Sequence, residues 1–221
     1  MNWLLTILTF LPLVGVLAIL LVKESADGSN RDTIKLIAIV TSVATFAMSL
    51  FVLFRFDATN PALQLVDRVD WIPSWGISYF MGVDGLSILM VLLTTFISLL
   101  AIIGSWSAIE SQLKQYYIFM LLLEMGMMGV FLAQDLFLFY IFWEFTLVPM
   151  YFLIGIWGGG RRVYASIKFF LYTMAGSLLM LLAILYMGIT NGTFALPELI
   201  AGREAFGHAQ NLLFIGFFVA F

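Results

Sequence analysis

The sequence of 221 residues contains no cysteine and one histidine, and only 10% of its residues are charged. The absence of cysteine excludes disulfides, thiolate metal sites and thiol nucleophiles. A single histidine excludes a multi-histidine metal site within this chain, and no glycine-rich phosphate cradle follows a predicted strand. We therefore predict no cofactor, metal or nucleotide site in the chain itself.

Basic residues are also scarce, since the net charge is −3 and the sequence contains no basic block. A nucleic-acid partner is excluded on this ground. Hydrophobic residues make up 63% of the chain, and the mean hydropathy is +1.08. Soluble domains carry about 25% charged residues. The composition therefore indicates an integral membrane protein, with the lipid bilayer as its surroundings.

Long apolar runs predict an all-α fold. A bilayer core requires about 20 apolar residues as helix, and six segments meet this length. A seventh starts near residue 211 and spans only about 16 Å before Phe221, at about 1.5 Å per residue. We predict a polytopic transmembrane helix bundle in which residues 1–221 form the N-terminal portion of a single membrane domain. The predicted spans are 3–22, 34–54, 86–106, 116–133, 136–157, 164–189 and 211–221, the last of them truncated.

The connections between spans carry structure of their own. Alternating residues from Leu65 to Phe80, interrupted by a turn at Pro73, predict a small β-hairpin outside the membrane. The segment 197–200 predicts a short surface helix. Asp84 and Asp135 stand at predicted helix starts, where capping is a sufficient explanation for each carboxylate.

Basic residues are distributed unevenly between the two sets of loops. Under the positive-inside rule, the set with more Lys and Arg faces the cytoplasm. Six lie on one side and three on the other, which places the N-terminus outside and the hairpin in the extracytoplasmic space. The larger set is Lys23, Arg31, Lys35, Lys114, Arg161 and Arg162, and the smaller is Arg55, Arg68 and Arg203.

Glu144 lies near the middle of the fifth predicted span. A carboxylate at this depth costs several kcal/mol unless it is paired, protonated or turned to the protein interior. Helical spacing places Tyr140 and Tyr151 on the same stripe, where their hydroxyls can orient water. A glutamic acid that only hydrogen-bonds a neighbouring helix is the plainer interpretation. The cost of burial favours a carrier of protons.

Glu124 is the second carboxylate within a predicted span. The short connection at 133–135 predicts that spans four and five form an antiparallel hairpin. Glu124 and Glu144 each lie about ten residues from that connection, at a depth of about 15 Å. Two carboxyls at one depth could share a proton or a chain of water molecules, so Glu124 is a candidate proton relay. Packing of a protonated side chain is the alternative.

Lys168 is the third charge and lies in the sixth span, stacked with Tyr164 and Tyr172 at helical spacing. It could modulate the protonation of a carboxylate on a neighbouring helix. Snorkelling of its ammonium group to the lipid headgroups explains it equally well. A second polar stripe on the same span comprises Ser166, Thr173 and Ser177.

Four motifs together resemble one membrane-protein family. The run LFLFYIFWEFTLVPMYFLIGIWGG over 136–159 is similar to the antiporter-like membrane subunits of respiratory complex I, most closely those of the M type, also called chain 4. Supporting motifs are GVDGLS at 82–87, DWIP at 70–73 and ASIKFFLYT at 165–173. The resemblance runs over essentially the whole chain and covers somewhat less than half of a typical family member.

The resemblance implies a proton-translocating subunit of NADH:quinone oxidoreductase. Glu144 matches the family's key glutamate, which is paired with a lysine on a broken seventh helix, expected beyond Phe221. Lys168 matches a family lysine, and Glu124 a position that is often acidic. NADH, flavin, iron–sulfur clusters and quinone are implied in partner subunits, together with neighbouring antiporter-like subunits. The short start at Met1 without a transit peptide favours a bacterial plasma membrane, and an organelle-encoded chain would look the same in that respect.

Two alternatives to a complex I subunit remain from the residues. One is the D-type subunit of a multisubunit sodium/proton antiporter, which is related and shares the glutamate and lysine. Sodium would require several oxygen ligands around the carboxylate, and the sequence shows no convincing set. The other is a structural membrane spacer in which the carboxylates stay protonated.

Overall fold

The computed structural model describes residues 3–23 and 30–221. The described part contains eight α-helices, one two-stranded antiparallel hairpin and two short 3-10 turns. The helices are α1 (Leu4–Leu21), α2 (Arg31–Arg55), α3 (Gly85–Gly104), α4 (Leu113–Leu132), α5 (Leu136–Trp157), α6 (Arg162–Asn191), α7 (Leu196–Ala201) and α8 (Gln210–Ala220). The strands are β1 (Gln64–Ile72) and β2 (Ile77–Val83), and the 3-10 turns are Pro73–Trp75 and Arg203–Ala209.

Six of these helices, α1 to α6, are long and apolar enough to cross a membrane. This confirms the predicted all-α transmembrane bundle with a small hairpin, and the bounds of the spans shift by only a few residues. Asp84 caps α3 by accepting from the backbone N–H groups of Leu86 and Ser87, and the Ser87 hydroxyl accepts from the Asp84 N–H. This capping box fixes where the helix begins. The short helix predicted at 197–200 is present as α7.

The chain divides into two compact units. Asn2–Val66 and Val83–Leu132 form the unit that contains α1 to α4, called here the α1–α4 unit. Asp67–Gly82 and Ala133–Phe221 form the unit that contains most of the hairpin and α5 to α8, called the α5–α8 unit. The prediction of a single membrane domain over residues 1–221 stays a prediction.

Small and hydroxyl-bearing residues line the helix contacts of the α1–α4 unit. Gly15 on α1 lies so close to Thr41 on α2 that a Cβ at this position would overlap the threonine side chain. Ser49 on α2 and Thr95 on α3 share a hydrogen bond of 2.9 Å between their hydroxyls. Small residues let helix backbones approach, and hydroxyls bond across the contact, which is how helices associate in lipid.

Asp135 joins the parts of the α5–α8 unit. One carboxylate oxygen accepts from the N–H groups of Phe137 and Leu138 and so caps α5. The other accepts from the N–H and the hydroxyl of Ser78 on β2, at 2.9 and 3.2 Å. The side chain is fully buried. The capping predicted from the sequence therefore accounts for two of the four hydrogen bonds that Asp135 accepts.

The hairpin is also tied to α7 by an ion pair at the surface. Arg68 on β1 lies 2.8 Å from Glu198, which also accepts from the Thr193 hydroxyl at 2.6 Å. The Thr193 hydroxyl and then the Arg68 guanidinium hold the pKa of Glu198 below its ordinary value. Both charged side chains are more than 40% exposed, so the pair contributes at most about 1 kcal/mol.

Spans four and five, for which an antiparallel hairpin is predicted, belong to different units of this fold, and the hairpin stays a prediction. Helix α4 packs on α1, α2 and α3, whereas α5 packs on α6. The connection at 133–135 does not form a free tight turn, because Ala133 pairs with Met81 and Asp135 with Ala195 in isolated β-bridges. These backbone pairs hold the connection against β2 and the start of α7, and the structure places Glu124 and Glu144 in different units.

Gly188 offers a direct test of packing in the α5–α8 unit. A Cβ at this position on α6 would overlap the ring edge of Phe194, which is buried in the core with Met180 and Ile184. We expect Gly188→Ala to destabilise the folded subunit by about 1–3 kcal/mol, as overpacked cores do. The loss would appear as a lower midpoint in thermal unfolding of the purified full-length protein.

Gly104→Ala is the matched control, because a Cβ there meets no atom within 4 Å. It should leave the unfolding midpoint unchanged or raise it slightly. Equal midpoints for the two variants would contradict the packing described for Gly188.

Candidate functional site

Glu144 is positioned by α5, which begins at the Asp135 cap. Glu144 follows Leu136 by eight residues, so it lies about 12 Å along the helix from its start. Helix α5 packs chiefly on α6 within its unit. Glu144 is half-buried, and one of its oxygens, Oε1, is fully enclosed.

A tyrosine flanks this carboxylate, and a serine of α6 flanks the tyrosine. The Tyr140 hydroxyl, one turn earlier on α5, interacts with the side chains of Glu144 and of Ser177 on α6. Ser177 is fully buried and donates its own hydroxyl proton to the Met174 carbonyl at 3.0 Å. The predicted stripe of α5 that contains Tyr140 and Glu144 therefore packs against the predicted polar stripe of α6 that contains Ser177. The three side chains form a continuous polar group at the contact of α5 and α6.

Two buried polar atoms on consecutive residues of α5 have no protein partner. They are the Trp143 indole nitrogen Nε1 and the Glu144 oxygen Oε1, and both are buried. Buried polar groups nearly always have a partner, which is either protein or ordered water. A donor and an acceptor left open in this way are chemically suited to water molecules or to a mobile proton.

Helix α8 approaches the same place. It packs on α6, and Gly176 on α6 lies so close to Val219 that an added Cβ would be 2.9 Å from its carbonyl. The ring of Phe221 stands edge-on to Trp143 with centroids 4.7 Å apart. The last described residues of the chain therefore contact the residue that adjoins Glu144.

Glu124 occupies a different setting in the α1–α4 unit. Its side chain is fully buried, and neither carboxylate oxygen has a protein partner. It shares a buried stripe of α4 with Tyr117, Leu121 and Met128. The structure therefore does not bring Glu124 into the group around Glu144, and a proton shared by the two carboxyls stays a prediction.

Lys168 is exposed on α6 and lies apart from Glu144. Its Nζ is 5.9 Å from the centre of the Tyr164 ring, and the Arg161 guanidinium is 5.4 Å from the same ring. Both cations line an open groove of about 630 Å³ near the start of α6. Nine residues separate Lys168 from Ser177, which is about 14 Å along the helix. Any influence on Glu144 must therefore be electrostatic rather than by contact.

No group of three His, Asp or Glu side chains that could hold a metal ion occurs within 3–23 and 30–221. The prediction that this chain binds no cofactor stays a prediction. Sequence reasoning named Ser177 as polar without connecting it to Glu144, and it did not single out Trp143. The register between helices, which the sequence does not encode in a visible pattern, places Ser177 beside Tyr140, whereas Trp143 directly precedes Glu144 along α5.

Comparison with known proteins gives consistent similarities. Residues 133–221 match the family model described as NADH:quinone oxidoreductase/Mrp antiporter, TM. The chain is 41% identical to NADH-quinone oxidoreductase subunit M of Rickettsia typhi, an alignment that covers 98% of this chain and 44% of the relative. The protein of the same name from Rhodobacter capsulatus is 43% identical, with 100% and 45% covered. The chain thus spans less than half the length of the curated relatives it matches.

Solved structures give the same fold. The chain is similar to one in respiratory complex I from Thermus thermophilus, with a TM-score of 0.79 and 27% identity over 98% of this chain and 43% of that one. It is also similar to a chain of the Mrp complex from Dietzia, with a TM-score of 0.80 and 20% identity over 98% and 23% of the two chains. The second likeness shows a shared fold alone.

Proposed function

Because the chain belongs to the family of antiporter-like membrane subunits that includes NADH-quinone oxidoreductase subunit M, we propose that it translocates protons through Glu144. The observation that supports this proposal most directly is the set of groups around the Glu144 carboxylate. A carboxylate within a span keeps one buried oxygen free of protein partners, while Tyr140 adjoins this carboxylate and Ser177 adjoins Tyr140. A group that must take up and release a proton requires such an open position.

The proposed mechanism is electrostatic. Quinone reduction in partner subunits changes the charge near Glu144 and so changes its affinity for a proton. A charged partner at close range favours or disfavours the ionised carboxylate strongly where the dielectric is low. The family's lysine, expected beyond Phe221, is the proposed partner, and the contact of Phe221 with Trp143 supports its approach to Glu144.

Glu124 and Lys168 have supporting roles in this proposal. Lys168 modulates Glu144 at a distance of more than two helical turns, so its influence is weaker than that of a contacting cation. Glu124 holds a proton in the α1–α4 unit as a relay. The complete burial of Glu124 supports its role, because an ionised carboxylate there would be costly.

We further propose that the chain is an integral subunit of the bacterial plasma membrane with its N-terminus outside. NADH, flavin, iron–sulfur clusters and quinone belong to partner subunits in this proposal, and its membrane neighbours are other antiporter-like subunits. The bacterial relatives and the six apolar spans support the location. The uneven distribution of Lys and Arg in the loops supports the orientation.

A sodium/proton antiporter subunit is the second candidate, since the description of the matched family model also names the Mrp antiporter. The identity of 41–43% with subunit M favours the oxidoreductase. A passive membrane spacer is the third candidate, and the unpartnered buried oxygen of Glu144 argues against it.

Tyr140→Phe tests the geometry of the proposed carrier. It removes one hydroxyl that interacts with Glu144 and leaves the ring in place, so we expect slower proton transfer with the complex still assembled. A hydrogen bond worth about 1 kcal/mol corresponds to roughly a fivefold lower pumping rate. The measurement is proton uptake by inverted membrane vesicles that contain the full-length subunit.

Tyr186→Phe is the matched control, since this tyrosine is exposed on α6. It should pump at the wild-type rate. If Tyr140→Phe also pumps at that rate in an assembled complex, the hydroxyl takes no part in the transfer. NADH oxidation with an artificial acceptor should be unchanged in both variants, because that step lies in other subunits.

A further inference from the structure

Three buried oxygen atoms in the α1–α4 unit have no protein partner. They are both carboxylate oxygens of Glu124 and the hydroxyl oxygen of Ser42 on α2. Both side chains are fully buried, so bulk water does not reach them. Two other hydroxyls of α2 differ, because Thr45 donates to the Thr41 carbonyl and Ser49 bonds Phe46 and Thr95.

A hydrophobic core shared by α2, α3 and α4 lies next to these atoms along the helices. Leu121 on α4 packs in one cluster with Ala38 on α2 and Ile102 on α3. Glu124 follows Leu121 by three residues on the same buried stripe, which is about 4.5 Å further along α4. The carboxyl thus lies one helical turn beyond the cluster.

Ser42 and Ser98 each lie one helical turn from a member of this cluster. Ser42 follows Ala38 by four residues, and Ser98 precedes Ile102 by four, which is about 6 Å in each case.

Two hydrogen bonds between helices give the register of these residues. Counted from the Ser105–Tyr117 hydrogen bond, Ser98 on α3 lies opposite Glu124 on α4. Counted from the Ser49–Thr95 hydrogen bond, Ser42 on α2 lies opposite Ile102, about one turn short of that level. Both serines are buried on helices that pack against α4.

No charge on the packed helices faces Glu124. Helices α1 and α3 contain no titratable side chain, and those of α2 stand at its ends, in Arg31–Lys35 and at Arg55. Lys114 on α4 is ten residues away, about 15 Å, and donates to the carbonyls of Leu20 and Val22. An ionised Glu124 would have no counter-ion here, so the neutral acid is the favoured form.

We propose that Glu124, Ser42 and Ser98 form a hydrated carboxylic-acid site that holds water and one exchangeable proton inside the α1–α4 unit. Water is the ligand that matches these atoms, because one molecule can donate to the carboxyl and accept from a hydroxyl. The site specifies how Glu124 could act as a relay, and it does not depend on Glu144 being the carrier. Failure of either proposal leaves the other intact.

Infrared spectroscopy of the purified, assembled complex tests the site. The difference between wild type and Glu124→Gln isolates the C=O stretch of the Glu124 acid. We expect a band at carboxylic-acid frequencies that shifts to lower frequency after transfer to D₂O. Ser42→Ala should slow that shift roughly fivefold, through the loss of one hydrogen bond in the exchange path.

Ser49→Ala is the matched control on the same helix, because the hydroxyl it removes already has two protein partners, the Phe46 carbonyl and the Thr95 hydroxyl of α3. It should leave the exchange rate unchanged. The proposal is overturned if the acid band is missing, if it does not shift in D₂O, or if the two serine variants exchange equally fast.

A second measurement needs no variant. X-ray radiolysis converts bound water into hydroxyl radicals that oxidise the nearest side chains. We expect oxidation of Met128, which lies one turn from Glu124 on the same buried stripe of α4, to exceed that of Met180, which lies in an apolar cluster. Both are inaccessible to bulk solvent, at 0% exposure. Equal oxidation of the two methionines would show a dry site and would overturn the proposal.

Discussion

Proton pumping is expected to fall to the level of uncoupled vesicles when Glu144 is replaced by Gln in the full-length subunit. The amide has nearly the shape of the acid, so the contacts of α5 with α6 are kept. It cannot release a proton, and its charge does not respond to a neighbouring cation. The half-buried position of Glu144 with one enclosed, unpartnered oxygen is what makes the acid itself necessary.

The measurement combines three readouts on inverted membrane vesicles. Proton uptake and coupled quinone reduction should collapse, whereas NADH oxidation with an artificial acceptor and the amount of assembled complex should stay at wild-type levels. Pumping and quinone reduction at wild-type levels in an assembled complex would make Glu144 a packing residue. The passive spacer would then be the better description.

Glu110→Gln is the matched control for Glu144→Gln. It removes one carboxylate from an exposed position in the loop between α3 and α4. We expect pumping to be unchanged, because an exposed charge is screened by water and salt. A loss of pumping in this variant as well would point to a general effect of net charge rather than to a carrier at Glu144.

Assembly is expected to fail when Asp135 is replaced by Ala. The substitution leaves four donors that its carboxylate now satisfies without a partner, at the start of α5 and on Ser78. Loss of a cap costs about 0.5–2 kcal/mol, and each lost hydrogen bond to a charged group about 1.5–3 kcal/mol. Since these terms overlap, we expect about 3–5 kcal/mol in total, a large part of a typical domain's stability.

The expected result is a strong decrease of full-length subunit in the assembled complex, followed on native gels, together with a lower thermal unfolding midpoint. Asp135→Asn should be intermediate, because its amide keeps one acceptor oxygen and lacks the other. A near-normal amount of complex with Asp135→Ala would contradict the proposed role of this residue as the link between β2 and α5.

Asp84→Ala is the comparison that separates capping from linking. Asp84 is exposed, and its side chain accepts only within the first turn of α3. We expect a cost of about 1 kcal/mol, as for an ordinary N-cap. The difference between the two alanine variants therefore measures what Asp135 contributes beyond its cap.

The elements of this fold could be predicted from local features of the sequence. Apolar runs of about 20 residues give the six spans, since only a helix satisfies its own backbone in lipid. Alternation and Pro73 predict the hairpin, and Asp84 and Asp135 mark helix starts. The buried carboxylates stood out for the same reason, because Glu124 and Glu144 interrupt otherwise apolar spans.

The tertiary structure alone decided which residues meet. It brought Ser177 to Tyr140, gave Asp135 a second function at Ser78, and put Glu124 in a different unit from Glu144. The physical reason is that a helix in lipid is apolar on every side. Its hydrophobic pattern therefore does not mark the face that packs against protein. Facing and register follow from the fit of side chains between helices, which exists only once the helices have packed.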